Sequence, residues 1–205
     1  MKVKILSVLL IVLMLTVMPA AAQPITYTIQ PGDTLWKIAV KYEVGLSELI
    51  AQNPQFKNPA LIYPGQKATI PNISDVKTLE NEVIRLVNAE RSRRGLQLLK
   101  GNWQLSRCAR YKSQDMINHN YFAHNSPTYG TPFDMMKAFG LNYSAAGENI
   151  AKGQRTPQEV MNAWMNSPGH RSNILSPAYL EIGVGLAKDK AGRMYWTQMF
   201  MKPIR

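Results

Sequence analysis

An α+β protein in two unequal units is what the sequence predicts: a small βααβ module over residues 25–71 and a larger layered domain over residues 76–205, joined by a short linker at 72–75. Three observations predict it. Residues 25–71 alternate short β-prone and helical stretches, punctuated by Pro31-Gly32, Asn53-Pro54 and Pro64-Gly65. Residues 76–181 carry helical periodicities with start and stop signals. Residues 182–201 alternate apolar with small or polar side chains on either side of a turn, as a hairpin does.

Ahead of both units, Lys2 and Lys4 precede an apolar run from Ile5 to Val17 that ends in Pro19-Ala20-Ala21-Ala22. This is the pattern of a cleavable leader, and cleavage is expected after Ala22, so that the mature chain starts at Gln23. The run is shorter than the roughly 20 residues of a spanning helix, and no later stretch is long and apolar enough to span. Loss of the leader takes the formal net charge from +11 to +9, with +1 over residues 23–72 and +8 over residues 73–205. Export excludes nucleic acid as a partner, leaving anionic wall polymers, lipid headgroups or acidic glycans to meet that charge. Cys108 is the only cysteine, so no internal disulfide is expected. It falls three residues after Leu105 in a helical stretch, the placing of a buried thiol.

Within the small module, Tyr27-Thr28-Ile29 reads as a strand, and Asp33 is placed to cap a helix through Leu35, Trp36, Ile38, Ala39 and Tyr42. A second helix carries Leu46, Leu49 and Ile50 and stops at Asn53-Pro54, after which Ala68-Thr69-Ile70 returns as a strand. Fewer than 50 residues bury little core, which suits a binding module rather than an enzyme. Trp36 is expected in the core.

The run Tyr27-Thr28-Ile29-Gln30-Pro31-Gly32-Asp33-Thr34-Leu35-Trp36, with Asn53-Pro54, Ile62-Tyr63-Pro64-Gly65-Gln66 and Ile70-Pro71, resembles the LysM family. The resemblance implies a βααβ fold that binds N-acetylglucosamine-containing glycans such as peptidoglycan. By position the groove would use Gly32, Asp33, Thr34 and Leu35 on one side and Ala60, Leu61 and Ile62 on the other. Backbone groups in Gly- and Pro-rich loops suit acetamido recognition. Gly45 stands where that family commonly has Ser or Thr, which weakens the cap of the second helix.

The larger domain opens with an amphipathic helix carrying Val76, Leu79, Val83, Leu86 and Val87, ended by Gly95. Arg91, Arg93 and Arg94 fall in its last turn, where cations suit the helix dipole, and are expected to be solvated. A second helix runs from about Leu105 through Ala109 and Met116 to Tyr121. A third is announced by Thr156-Pro157-Gln158-Glu159, a capping box with proline at the first helical position, and carries Val160, Ala163 and Trp164. Ile182 to Leu186 and Met194 to Met201 form the terminal hairpin.

Tyr121-Phe122-Ala123-His124-Asn125-Ser126-Pro127, Gly147-Glu148-Asn149-Ile150-Ala151 and Ser167-Pro168-Gly169-His170-Arg171-Ser172-Asn173 resemble the CAP (SCP-like) superfamily. Ile182-Gly183-Val184-Gly185 and Tyr195-Trp196-Thr197-Gln198 extend the match, and the likeness is to bacterial forms of endospore formers. The resemblance implies an α-β-α sandwich with a cleft of two histidines and two glutamates that in several members holds zinc or another divalent metal. Residue by residue it gives His124, Glu148 and His170 as candidate catalytic or metal-binding groups. The fourth position, three after Trp164, is Ser167. Two imidazoles and a carboxylate suit a zinc shell with an open water position; alternatively Glu148 fixes an imidazole tautomer without metal. His119 is expected at the surface.

Two functions follow. One is a secreted, cell-wall-associated protein, with the spore envelope as one setting, that binds peptidoglycan and presents a ligand cleft. The alternative is a secreted metal-dependent hydrolase. His-Glu-x-x-His and Gly-x-Ser-x-Gly are both missing from the sequence, and Cys108 lacks a nucleophile context, which favours binding.

Overall fold

The computed structural model describes residues 23–204, so the expected leader at residues 1–22 lies outside the described residues. In the small module β1 (Ile25–Thr28) pairs antiparallel with β2 (Lys67–Ile70), Ile25 opposite Ile70. Between them lie α1 (Leu35–Tyr42) and α2 (Leu46–Ala51). The cap of α1 is Thr34, not Asp33: the Thr34 hydroxyl accepts from Lys37 N at 3.1 Å. Asp33 instead accepts from Tyr27 Oη and Gln30 N, both at 2.8 Å, and so fastens the turn to β1. Gly45 starts α2 with no side-chain cap.

Leu35, Ile38, Ala39, Leu49, Phe56, Ala68 and Ile70 form the module's own core. Trp36 does not join it and is 54% exposed. A helix advances about 100° per residue, so the stripe of Leu35, Ile38 and Ala39 leaves position 36 on the outer face. Buried Asn53 locks the module: its amide donates to Leu49 O at 2.7 Å and Thr69 O at 2.8 Å, while its oxygen accepts from Thr69 N.

The larger domain begins with α3 (Ser74–Ser92), two residues inside the expected linker. Then come β3 (Lys100–Gly101), α4 (Trp103–Asn118), α5 (Pro132–Ala138), β4 (Tyr143–Lys152), α6 (Pro157–Met165), α7 (Pro168–Leu175), β5 (Glu181–Lys188) and β6 (Met194–Pro203). The sheet order is β3-β5-β6-β4, with β3 parallel to β5 and the other pairs antiparallel, so β4 is an edge strand. Alternation along β5 and β6 divides the core. Ile182, Val184, Leu186, Trp196 and Phe200 meet α3, α6 and α7 on one face. Met199 and Met201 meet Leu105, Cys108 and Ala109 of α4 and Met135 and Met136 of α5 on the other. The result is the α-β-α sandwich.

On that second face β5 presents Gly183 and Gly185. A Cβ on Gly183 would collide with the backbone of Leu105 and Ser106, and one on Gly185 with that of Ala109 and Arg110. These glycines let α4 lie directly on the strand. Buried Glu80 of α3 accepts from Leu186 N and Arg110 Nε, both at 3.0 Å, tying α3, β5 and α4 together. In α6 the Thr156 hydroxyl accepts from Glu159 N as expected, but the Glu159 carboxylate accepts from Arg155 N rather than closing the box on Thr156.

Arg91 overturns the expectation of solvation. It is 0% exposed, and it donates to Gln97 O, Ile174 O and Ser176 O, each at 2.8 Å. The last two are carbonyls at the end of α7, the orphan acceptors every helix leaves, so Arg91 caps α7 from another helix. Arg93 and Arg94 stay outside and share Glu90.

Direct contacts join the modules. Arg107 of α4 donates to the Glu48 carboxylate at 2.9 and 3.0 Å and to Ser47 Oγ at 2.9 Å, and Lys77 Nζ reaches Tyr42 O and Glu43 Oε2 at 3.0 Å. No helix among the described residues is long and apolar enough to cross a membrane.

Candidate functional site

Edge strand β4 organises the expected residues. Consecutive side chains point to opposite faces, and this puts Glu148 toward α4 and Asn149 toward α7. The His124 Nδ1–H donates to Glu148 Oε1 at 2.7 Å. On the other face the Asn149 amide donates to His170 O at 3.1 Å and Gln198 Oε1 at 2.9 Å, and Asn173 of α7 bonds Glu148 O and Asn149 Oδ1. Because the sheet ends at β4, the loop after α4 and the start of α7 meet around its edge. His124 and His170 thus lie close enough for their charges to interact.

The charges follow from these contacts. Hydrogen bonding to Glu148 raises the His124 pKa, against a smaller opposing effect of burial. Burial raises that of Glu148, opposed by His124 and Lys112. Burial, then repulsion from His124, lowers that of His170. The two imidazoles are thus pushed in opposite directions, His124 toward its charged form and His170 toward its neutral one. His124 is half exposed, with Nδ1 spent on Glu148 and Nε2 left for a ligand.

Lys112 was not foreseen. It is fully buried on α4, and its ammonium donates to His124 O at 2.5 Å and Tyr121 Oη at 3.0 Å. Tyr121, Ser126 and Thr128 in turn donate to buried Asp115, which holds the loop carrying His124. The stripe Leu105, Cys108, Ala109, Lys112 and Met116 was the available signal: a lysine on the apolar face of a helix. Cys108 is buried as expected, and burial with nearby Glu148 pushes its thiol up to about 12, so no thiolate forms. Ser167 caps α7 without a side-chain bond, and Glu181 turns away to accept from Asn102 at 2.6 Å. His119 is half exposed, its Nδ1 2.9 Å from Asp115 Oδ1.

Among the described residues no three His, Cys, Asp or Glu side chains come together as a metal-holding group. One Glu148 oxygen is engaged by His124, and the other is buried without a partner. The donors do not fit a zinc shell of His124, Glu148 and His170. They fit the other arrangement, a carboxylate that fixes one imidazole's orientation.

Glu148→Gln is expected to lower the His124 pKa, read by NMR titration of the ring protons; an unchanged value would refute the pairing. His124 gains its partner on folding. The stability contributed by the histidine's own shift is therefore fully present below the unfolded value of 6.5 and is lost as pH rises through the raised folded value.

In the small module, Ile62 packs against the core that contains Leu35. Gly32 adopts φ +83°, a left-handed conformation that favours glycine. Asp33 is half-buried, and Thr34, Ala60 and Leu61 are exposed. The Leu35 side chain is buried.

The Cysteine-rich secretory protein family (CAP) model matches residues 84–200, and the LysM domain model matches residues 27–71. The uncharacterized protein YkwD of Bacillus subtilis is 52% identical over 150 residues, covering 73% of this chain and 57% of that protein. The chain thus spans little more than half the length of YkwD. The spore coat assembly protein ExsA of Bacillus cereus is 50% identical over 48 residues, 23% of this chain and 8% of ExsA. A crystal structure of an extracellular protein containing a SCP domain from Bacillus anthracis superposes with a TM-score of 0.57 at 34% identity, covering 68% of this chain and 47% of that one. The chain belongs to the CAP family, with a LysM domain preceding its CAP domain.

Proposed function

We propose that this is an exported wall-binding protein, in which the LysM domain holds the chain on peptidoglycan and the CAP domain presents the cleft at the edge of β4 to a ligand. The observation that carries the reading is the LysM match over residues 27–71, a module with its own core. The ExsA likeness supports the spore envelope as one setting for such a module.

In the CAP cleft, Glu148 orients His124 and favours its charged form, Lys112 fixes the His124 carbonyl, and Asn149 fixes that of His170. When His124 is protonated, its Nε2 donates a charge-assisted hydrogen bond to a ligand acceptor, beside a His170 whose neutral form can donate or accept. This arrangement binds and orients an acceptor-bearing ligand, and no step through a metal is derived for it.

The test is sedimentation with purified peptidoglycan. The chain from Gln23 should sediment at high salt, and deletion of residues 23–72 should release it. Equal high-salt sedimentation by the CAP domain alone would overturn the reading; low salt does not discriminate, because a net charge of +8 attracts anionic polymers.

A further inference from the structure

Between the modules lies an open groove of about 410 Å³, walled by Trp36 and Ile50 of the LysM domain and by Trp103, Gln104, Arg107 and Phe139 of the CAP domain. Trp36 is the residue immediately after the expected glycan-binding segment Gly32 to Leu35, and its ring has no place in the LysM core. Trp103, the first residue of α4, is half-buried beside the junction that Arg107 and Glu48 hold closed. We propose that this groove is a second saccharide subsite, in which the glycan held by the LysM loops continues onto the CAP domain and stacks a further sugar ring on Trp36 and Trp103. The inference rests on the LysM reading above and extends it to a surface that the LysM domain alone lacks.

The chemistry of the walls selects this occupant. An indole face is electron-rich, and the C–H face of a pyranose carries slight positive charge, so ring and sugar stack while the hydroxyls stay outward. Gln104 and Ser47 supply neutral polar groups at the rim for those hydroxyls. The charge of Arg107 is already matched by Glu48, with Ser47 taking a further hydrogen bond, so the groove offers no unpaired cation to a phosphate or an acidic peptide. A neutral, hydroxyl-rich ligand with apolar ring faces is what remains. Continuity with the LysM loops makes it the next part of the same strand.

Tryptophan emission reads the groove directly. Of the four tryptophans Trp164 and Trp196 are fully buried, so a ligand-induced shift comes from Trp36 and Trp103. The chain from Gln23 is titrated with the tri- and hexasaccharide of β-1,4-linked N-acetylglucosamine, at concentrations where sedimentation shows a monomer. The hexasaccharide should bind about tenfold more tightly than the trisaccharide and shift the emission. Trp103→Ala should abolish that gain while leaving trisaccharide affinity and the thermal midpoint unchanged, and Trp103→Phe should keep part of the gain. Equal tri- and hexasaccharide affinity in the wild type, or a full gain in folded Trp103→Ala, overturns the subsite and leaves the LysM reading standing. Loss of the gain in both Trp103→Ala and Trp103→Phe with an unfolded CAP domain is resolved by Gln104→Ala, which should weaken only the hexasaccharide; an unchanged hexasaccharide affinity there overturns the proposal. Binding of neither oligosaccharide defeats the LysM reading and this one together.

Discussion

Gly185→Ala should destabilise the CAP domain by about 3 kcal/mol or more, or prevent its folding, measured by urea denaturation. Overpacking a core with a methyl group generally costs about 1–3 kcal/mol because side chains can shift. Here the added carbon meets the backbone of Ala109 and Arg110, and a helix backbone cannot rotate out of the way. The whole of α4 must lift from β5, and with it Lys112 and the loop that carries His124. Gly183→Ala should behave alike, since its Cβ meets Leu105 and Ser106. Gly169 lies in α7 with nothing within 4 Å of an added Cβ and no positive φ, so Gly169→Ala should be neutral or stabilising by about 0.5–1 kcal/mol. Similar losses at Gly169 and Gly185 would refute the steric account.

Arg91→Ala should cost about 3–5 kcal/mol, because hydrogen bonds from a charged donor contribute about 1.5–3 kcal/mol each and buried acceptors left unpaired are costly. Three carbonyls lose their donor at once, and the space of a large side chain is left empty. Arg91→Lys should recover only part, because one ammonium cannot reproduce a planar fork that reaches Gln97 O on one side and Ile174 O and Ser176 O on the other. Hydrogen exchange separates this from a general loss of stability. Protection should fall first in α7, whose end Arg91 caps, before it falls in β5 and β6. Uniform loss across the domain would count against the capping role.

The sequence showed the hairpin of β5 and β6 plainly, because Ile182, Val184 and Leu186 alternate with glycines and one face is buried. It showed α6 through Thr156-Pro157, and it named His124 and Glu148, which the fold joins by a hydrogen bond, and His170, whose charge interacts with that of His124. It concealed β4. Tyr143 to Lys152 has small residues at Ala145, Ala146 and Gly147 and then buries Glu148 and Asn149 on successive positions, so no apolar alternation announces a strand. That loss of pattern is itself a trace of the site, since both faces of this edge carry polar work. It also concealed α7, which buries Ile174 and has no apolar stripe because Arg91 anchors its end. Arg91 misled through its neighbours: the run with Arg93 and Arg94 fits a solvated helix end. Its spacing of four from Val87 and eight from Val83 marks the buried face instead. Trp36 misled through residue type, where helical spacing gave the right answer.

The clasp between Arg107 and Glu48 has a consequence for acid tolerance. Burial alone would raise the Glu48 carboxyl, but the hydrogen bonds from Arg107 and Ser47 outweigh it and hold the group at about 2, against an ordinary value of 4.5. A depressed carboxyl contributes stability above its unfolded value and loses that contribution only as pH falls through the folded one. Mild acidification, which charges solvent-facing imidazoles and protonates ordinary carboxylates, therefore leaves the two modules fastened. An acidified cell surface would alter what the CAP cleft holds well before it altered the attitude in which the chain presents it.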